Sequence, residues 1–194
     1  MRTGVFSFSA SALLALLPLI ARPYGSVGYG LLLGSFGVGA FAGAAFLPTA
    51  RRMFSVDATV ALATLLFAVM TFSLGHVSLF WILCGILFAA GVAWISILVV
   101  LNVTAQTMSP DWVRARSLSV YLLVLQGGMA AGSALWGAVA ARMGVSTALL
   151  GAALGLIAGL ATIRRYPLRG ATLRPEAHDE QLAAAPESPT VLPS

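Results

Sequence analysis

Charge is scarce in this sequence, and lysine is missing from it altogether. Only 9% of the 194 residues are charged and 59% are hydrophobic, whereas a soluble domain carries about 25% charged residues. The net charge of +5 comes from an excess of arginines, which are scattered between apolar segments rather than gathered on one face as in a nucleic-acid-binding protein. We therefore expect an integral membrane protein that lies in the lipid bilayer and binds no nucleic acid.

Residues that form disulfides or bind metals are almost as rare. The single cysteine, Cys84, lies in an apolar run, and the two histidines, His76 and His178, are far apart in the sequence. None of them has a neighbour at the spacing of a metal site. We expect neither an internal disulfide nor a bound metal.

Acidic residues are missing from the long apolar segments, because all six lie in connections or in the C-terminal region. An ionisable side chain inside a transmembrane segment usually marks a proton relay or an ion path, so the sequence offers no obvious proton-coupling group. It also contains no nucleophile–base pair, phosphate-binding loop or carboxylate dyad. We expect no catalytic residue, no cofactor and no enzymatic activity.

Long apolar segments fill most of the chain, and a helix of roughly 20 apolar residues crosses the hydrocarbon core of a bilayer. The sequence predicts an all-α membrane protein whose six-helix bundle covers residues 1–163. The predicted spans are about residues 5–21, 28–47, 58–74, 78–106, 118–141 and 146–163. Their short connections predict that sequential helices pack side by side in antiparallel fashion.

The region 164–194 differs in composition, since it holds five of the nine prolines and four of the six acidic residues. Such a segment buries too little apolar surface to offset the entropy of ordering. We expect a disordered tail.

The arginines divide unequally between the two sides of the predicted bundle. One side has Arg22 and Arg142, and the other has Arg2, Arg51, Arg52, Arg114, Arg116, Arg164, Arg165, Arg169 and Arg174. Cytoplasmic connections are enriched in basic residues, so we expect a multi-pass protein of the cell inner membrane with its N-terminus and tail in the cytoplasm. A cleaved signal peptide is the less favoured alternative, because no clean cleavage site follows the first apolar run.

Two predicted connections concentrate the charges. In SPDWVRAR, Asp111 suits the positive end of a helix dipole, and Arg114 and Arg116 suit the phosphate layer of the membrane. In PTARRMF, Arg51 and Arg52 form a basic pair. We expect these five residues to fix the topology and to be candidates for a gating role.

Glycines recur at a spacing of four residues, which allows helices to approach closely. The repeated positions are Gly30 and Gly34, Gly39 and Gly43, Gly128 and Gly132, and Gly151, Gly155 and Gly159. We interpret them as packing surfaces within one bundle, with dimerisation or sliding between helices as the alternatives.

Polar side chains within the spans are concentrated in the first, fourth and fifth. We expect these spans to border an interior and the third and sixth to face lipid. The candidates for contact with a substrate are Trp94, Ser96, Tyr121 and Gln126. Hydrogen bonding between helices, with no ligand, is the alternative for each of them.

Several stretches resemble the major facilitator superfamily of transporters. They resemble in particular its transmembrane secretion effector branch, which includes enterobactin-exporter-like proteins. The segment from Pro110 to Gly144 is similar to the junction before the eleventh helix of that family and to the helix itself. The stretches YGLLLGSFGVGAFAGAAFLPTARRMF and ILVVLNVTAQTMSPDWVRAR resemble the eighth helix with its basic loop and the end of the tenth. The resemblance covers about residues 6–163.

The resemblance implies that the chain is the C-terminal half of a twelve-helix secondary active transporter. The implied activity is export of a small hydrophobic or amphipathic molecule of the drug or siderophore type. The implied partner is a matching N-terminal six-helix half. The alternatives are that the partner is a second copy of the chain, or that the chain has a non-transport role as an anchor or assembly partner. One departure is that no acidic residue precedes Arg51 and Arg52, although the loop motif of the family often has one.

Overall fold

The computed structural model describes residues 2–53, 56–107 and 114–165. Its six α-helices overlap the six predicted segments and are α1 (Arg2–Ala21), α2 (Gly25–Met53), α3 (Val56–Leu74), α4 (Phe80–Thr107), α5 (Arg114–Met143) and α6 (Val145–Arg165). The part of the chain that the structure describes has no strand. The predicted tail falls outside it, apart from its first two residues, which end α6.

Three described stretches are long and apolar enough to cross a membrane, namely Phe6–Leu47, Phe80–Val103 and Leu118–Met143. The first of these includes most of α1 and most of α2. A short 3-10 turn at Arg22–Tyr24 separates them, and Gly25 then takes a φ of 67°, which a residue without a side chain adopts readily. Two shorter apolar helical stretches, Ala58–Leu74 and Val145–Leu160, lie in α3 and α6.

The helices contact one another in two matching groups. In the first group α1 packs against α5 and α6, and in the second group α4 packs against α2 and α3. The groups meet mainly where α3 contacts α6, whereas α1 touches α2 and α4 touches α5 over small areas only. In their contacts, helices α1–α3 therefore correspond to α4–α6, so that the bundle consists of two equivalent sets of three consecutive helices.

The closest helix pairs run parallel rather than antiparallel. Gly4 of α1 lies beside Val124 of α5, and Gly132 of α5 lies further along beside Phe8 of α1. The α2–α4 pair behaves in the same way. The expectation that sequential helices form the main contacts is therefore wrong for α1–α2, α2–α3 and α4–α5, whose contacts are few, and it holds for α3–α4 and α5–α6.

Glycines create the close approach in both parallel pairs. A Cβ on Gly39 would lie 2.0 Å from the carbonyl oxygen of Phe88, and a Cβ on Gly91 would lie 2.1 Å from that of Phe36. In the α1–α5 pair, a Cβ on Gly132 would lie 2.1 Å from the carbonyl oxygen of Phe8. No real side chain approaches a backbone this closely, so these positions require glycine in the observed packing.

Candidate functional site

Trp94 lies at the centre of a cluster of aromatic rings that joins four helices. Its ring centroid is 5.7 Å from that of Phe6 on α1, 6.5 Å from that of Phe36 on α2 and 5.7 Å from that of Phe67 on α3. Phe67 is fully buried, while Trp94 is half-buried. The indole is therefore positioned by packing against three phenylalanines, with one part of its surface open.

Ser96 lies two residues further along α4 and is also half-buried. Its hydroxyl donates to the carbonyl oxygen of Val92 at 2.7 Å, within the same helix. The Asn102 amide similarly donates to the carbonyl oxygen of Leu98 at 3.1 Å. These polar side chains of α4 are satisfied locally and form no link to another helix in the described part of the chain.

The two candidates on α5 have different surroundings. The Tyr121 hydroxyl oxygen is buried and has no hydrogen-bond partner among the described residues. Gln126, five residues later, is exposed on the outside of the helix. The structure thus places one unpartnered polar atom inside the bundle and one amide on its open surface.

The four candidates do not form a single cluster. Trp94 and Ser96 belong to α4, Tyr121 and Gln126 belong to α5, and these two helices touch over a small area. Among the described residues, no hydrogen bond or ring contact joins any two of the four. Their joint role in substrate contact remains a prediction.

Four of the five charged candidates, all arginines, lie at the end of α2 or at the start of α5. Arg116 is in the first turn of α5 and is exposed. Arg51 and Arg52 belong to the last turn of α2, and Arg114 is the first residue of α5. The side chains of these three arginines, and Asp111 as a whole, lie outside what the structure describes.

The serines of α1 were predicted to border an interior, and the structure instead packs them against glycines. Ser7 lies against Gly128 of α5, and the hydroxyl oxygen of Ser9 lies 2.7 Å from the position of a Cβ on Gly155 of α6. Ser7 and Ser9 are buried. Small residues on both sides of a contact are typical of helix packing in membranes, so these serines are part of the bundle core.

The exposed faces of the helices differ in side-chain size. On α3 the exposed side chains after Ala58 are all large, namely Leu62, Leu65, Val69 and Phe72. The exposed faces of α2 and α5 also carry large side chains, such as Phe41, Phe46 and Leu123. Unlike that of α3, they mix these with many small residues, namely Gly30, Gly34, Gly37, Ala44 and Ala45 on α2 and Gly127, Ala130, Ala131, Ala134 and Ala138 on α5. A Cβ on Gly30, Gly34, Gly37 or Gly127 would meet no atom within 4 Å.

The positions of α2 and α5 in the bundle explain why so much of their surface is exposed. These helices occupy equivalent places in the two three-helix groups, and each leaves a broad side uncovered. Helices α1 and α4 contribute many of the buried apolar side chains. The sequence contained the signal for this difference, since both helices are rich in glycine and alanine, but the spacing alone could not separate covered from uncovered glycines.

The comparison with protein families agrees with this helical pattern. A family described as transmembrane secretion effector matches residues 1–189. The chain belongs to the transmembrane secretion effector family. Members of this family are transporters of the major facilitator type, so the resemblance stated from the sequence is confirmed at the family level. Neither the comparison with curated proteins nor the comparison with solved structures gave a significant match.

Family membership and the apolar helices together identify a membrane protein with a transport or secretion role. Within the described residues, no group of three or more His, Cys, Asp or Glu side chains could hold a metal ion. The described helices offer an apolar and aromatic surface with a few hydroxyl and amide groups.

Proposed function

We propose that this chain forms one six-helix half of a secondary active transporter that exports small hydrophobic or amphipathic molecules. In this proposal all six helices cross the membrane, and the substrate lies between this half and an opposing one. Transporters of the major facilitator type combine two such halves around a site near the middle of the bilayer. Membership of the transmembrane secretion effector family and the paired three-helix groups support the proposal.

The observation that carries the proposal is that the exposed faces of α2 and α5 contain small residues, whereas the described exposed face of α3 contains only large ones. Large aliphatic side chains such as Leu62 and Leu65 on α3 fit the acyl chains of lipid. Small residues such as Gly34 on α2 and Ala134 on α5 let another helix approach closely. We infer that α3 and α6 face lipid, whereas α2 and α5 face an opposing six-helix unit.

Gln126 supports the same assignment. Its amide is exposed on α5 beside Gly127 and in line with Ala130. Burying an amide in hydrocarbon without a hydrogen bond costs several kcal/mol, about 4–8 on a scale in which nothing can bond to it. A side chain of this kind is better placed against a polar group of an opposing helix or of a substrate than against lipid.

We assign the substrate contacts to the four predicted residues in two roles. Trp94 and Tyr121 provide aromatic surface, and Tyr121 also has a hydroxyl without a partner in the described part of the chain. Ser96 and Gln126 provide hydroxyl and amide groups that bind uncharged polar atoms. This combination favours an amphipathic substrate over a small ion.

The opposing unit is either a matching N-terminal half or a second copy of this chain. A second copy is geometrically suitable, because α2 and α5 are equivalent helices of the two groups and a two-fold axis would bring α2 of each copy against α5 of the other. Native mass spectrometry in detergent separates the two possibilities. A particle of twice the 20.0 kDa monomer mass supports the homodimer, and a monomer that assembles only with a co-expressed N-terminal half supports the split transporter.

We propose that the N-terminus and the C-terminal tail are cytoplasmic, because nine of the eleven arginines fall on that side of a six-span arrangement. Alkaline phosphatase fused after Arg52 is then inactive, and the same enzyme fused after Ser26 is active, because it folds only outside the cytoplasm. A green fluorescent protein fused at the same two positions gives the opposite pattern. Reversed signals would contradict the orientation.

The transport activity is tested with everted membrane vesicles that contain the chain and its opposing unit. Ethidium, a hydrophobic cation, and a catechol siderophore serve as probes. The variant Tyr121→Ala with Gln126→Ala should reduce the uptake of at least one probe at least fivefold, while the matched variant Leu62→Ala with Leu65→Ala on the lipid face of α3 should not. Uptake that is unchanged by loss of both α5 side chains would remove them from the substrate site.

A further inference from the structure

Three connections lie together at one end of the bundle, which we call the turn end. They are Arg22–Tyr24 between α1 and α2, Gly75–Leu79 between α3 and α4, and Gly144 between α5 and α6. The Tyr24 hydroxyl donates a hydrogen bond to the backbone carbonyl of Ser78. The Ser146 hydroxyl donates to the backbone carbonyl of Gly75 at 2.7 Å. Both of the other connections are thus tied to the α3–α4 turn.

The Ser146 bond crosses the boundary between the two three-helix groups, and the Tyr24 bond ties the α1–α2 connection, which runs from one group to the other, to the α3–α4 turn. We call this boundary the seam, with α1, α5 and α6 on one side and α2, α3 and α4 on the other. Along most of its length the seam is filled by apolar packing, which includes the ring of Phe6 against those of Phe67 and Trp94. At the turn end the Ser146 hydroxyl joins the two groups directly, and the Tyr24 hydroxyl fixes the α1–α2 connection to the α3–α4 turn.

The acceptor turn is itself held in shape by local bonds. The amides of Gly75, His76 and Val77 donate to carbonyl oxygens of Phe72 and Ser73 at 3.1–3.2 Å. A Cβ on Gly75 would lie 3.2 Å from the Cα of Ser146, which shows how closely α6 approaches the turn. The carbonyls that accept from Tyr24 and Ser146 are therefore presented by a short, ordered segment.

The Tyr24 side chain makes a second contact that positions its hydroxyl. Its ring lies 5.1 Å from that of Phe80 at the start of α4, and its Cβ packs closely over Gly28 at the start of α2. Removal of the hydroxyl alone would leave these contacts of the ring in place. The hydrogen bond across the seam can consequently be tested separately from the packing.

We propose that the α3–α4 turn is a latch, which holds the seam closed at the turn end through the hydroxyls of Tyr24 and Ser146. Release of either hydroxyl loosens the attachment of the other connections and allows the two three-helix groups to shift against each other at the turn end, while the apolar packing along the rest of the seam stays in place. This latch is a property of the six-helix unit and does not depend on the substrate, on the opposing unit or on transport.

Hydrogen–deuterium exchange of the full chain in lipid nanodiscs tests the latch, with Tyr24→Phe and Ser146→Ala as the variants. A single hydrogen bond contributes modestly to stability, so each variant should increase exchange of the Gly75, His76 and Val77 amides about twofold to tenfold. The double variant should increase it further. The controls are Tyr29→Phe, which removes a hydroxyl with no hydrogen bond among the described residues, and Thr147→Ala, which removes a hydroxyl bonded within its own helix to Met143 at 3.0 Å.

The decisive readout lies away from the altered residue. The amides of Gly144 and Ala148 are hydrogen-bonded at the α5–α6 connection, which Tyr24 does not contact in the described structure. If the turn is a latch, Tyr24→Phe must also accelerate exchange of these two amides. If the exchange rates of these two amides in Tyr24→Phe equal those in Tyr29→Phe, the three connections open independently and the proposal is wrong. Unchanged exchange at Gly75–Val77 in both variants overturns it as well.

Discussion

The indole N–H of Trp136 on α5 donates to the backbone carbonyl of Phe8 on α1 at 3.0 Å. The same carbonyl accepts the Ser11 hydroxyl at 2.9 Å, and Gly132 lies directly beside it. The Trp136 ring also packs over Gly151 of α6. One side chain thus joins the three helices of the first group, at a point where α1 and α5 are already as close as their backbones permit.

The variant Trp136→Phe should destabilise the bundle by about 1–2 kcal/mol, because hydrogen bonds between membrane helices contribute about 0.6 kcal/mol on average and up to about 1.7, and some ring contact is also lost. Unfolding in mixed detergent micelles with increasing dodecyl sulfate measures this change. Ser11→Ala provides the comparison, since it removes a bond to the same carbonyl from within α1. If Trp136→Phe lowers the free energy of unfolding by less than Ser11→Ala does, the hydrogen bond between α5 and α1 contributes little to the stability of the bundle.

Covered and uncovered glycines should respond in opposite ways to alanine. Gly39→Ala and Gly132→Ala place a methyl group about 2 Å from a backbone carbonyl of the neighbouring helix, and overpacking of this kind typically costs about 1–3 kcal/mol. Gly34→Ala and Gly127→Ala meet no atom within 4 Å, and alanine favours a helix over glycine. The first pair should lower the free energy of unfolding, and the second should leave it equal or slightly higher.

This experiment contains its own control, because each helix supplies one glycine of each kind. Gly34 and Gly39 share α2, and Gly127 and Gly132 share α5. Equal destabilisation by all four variants would contradict the helix contacts described above.

The helices themselves were predictable from the sequence, because the cost of placing unpaired backbone in lipid leaves helix as the only form for long apolar runs. The pairing of helices was not predictable in the same way. Gly30 and Gly34 have the same spacing as Gly39 and Gly43, yet only the second pair meets a neighbour. The spacing defines a face of the helix, whereas the partner depends on the arrangement of the whole bundle.

The candidate site was predictable only in part. Trp94 was selected as one of the polar side chains concentrated in the fourth span, and the structure places its ring among Phe6, Phe36 and Phe67 from three other helices. The links from Trp136 to Phe8 and from Ser146 to Gly75 were missed, since they join residues that are 128 and 71 positions apart. No local pattern indicates which distant carbonyl a side chain meets.

Trp94 can be assigned to packing or to substrate contact by two substitutions. Trp94→Ala should destabilise the bundle by roughly 3 kcal/mol, because it removes the central ring of the aromatic cluster. Trp94→Phe keeps an aromatic ring and removes the indole N–H, so we expect a loss of less than about 1.5 kcal/mol. If Trp94→Phe retains stability but reduces ethidium uptake, the indole contacts the substrate. Full uptake would limit its role to packing.

The opposing unit should be sensitive to bulk on the uncovered faces. Gly34→Leu and Gly127→Leu have open space around them in the six-helix bundle, so the free energy of unfolding of the isolated chain should change by less than about 0.5 kcal/mol. A leucine at either position prevents close helix approach, and should reduce assembly with the opposing unit at least tenfold in native mass spectrometry. Ala158→Leu, on the exposed side of α6, is the matched control and should assemble normally. Normal assembly of both glycine variants would mean that the opposing unit binds a different face of the bundle. Loss of assembly in all three variants would mean that an added leucine prevents assembly on any exposed face.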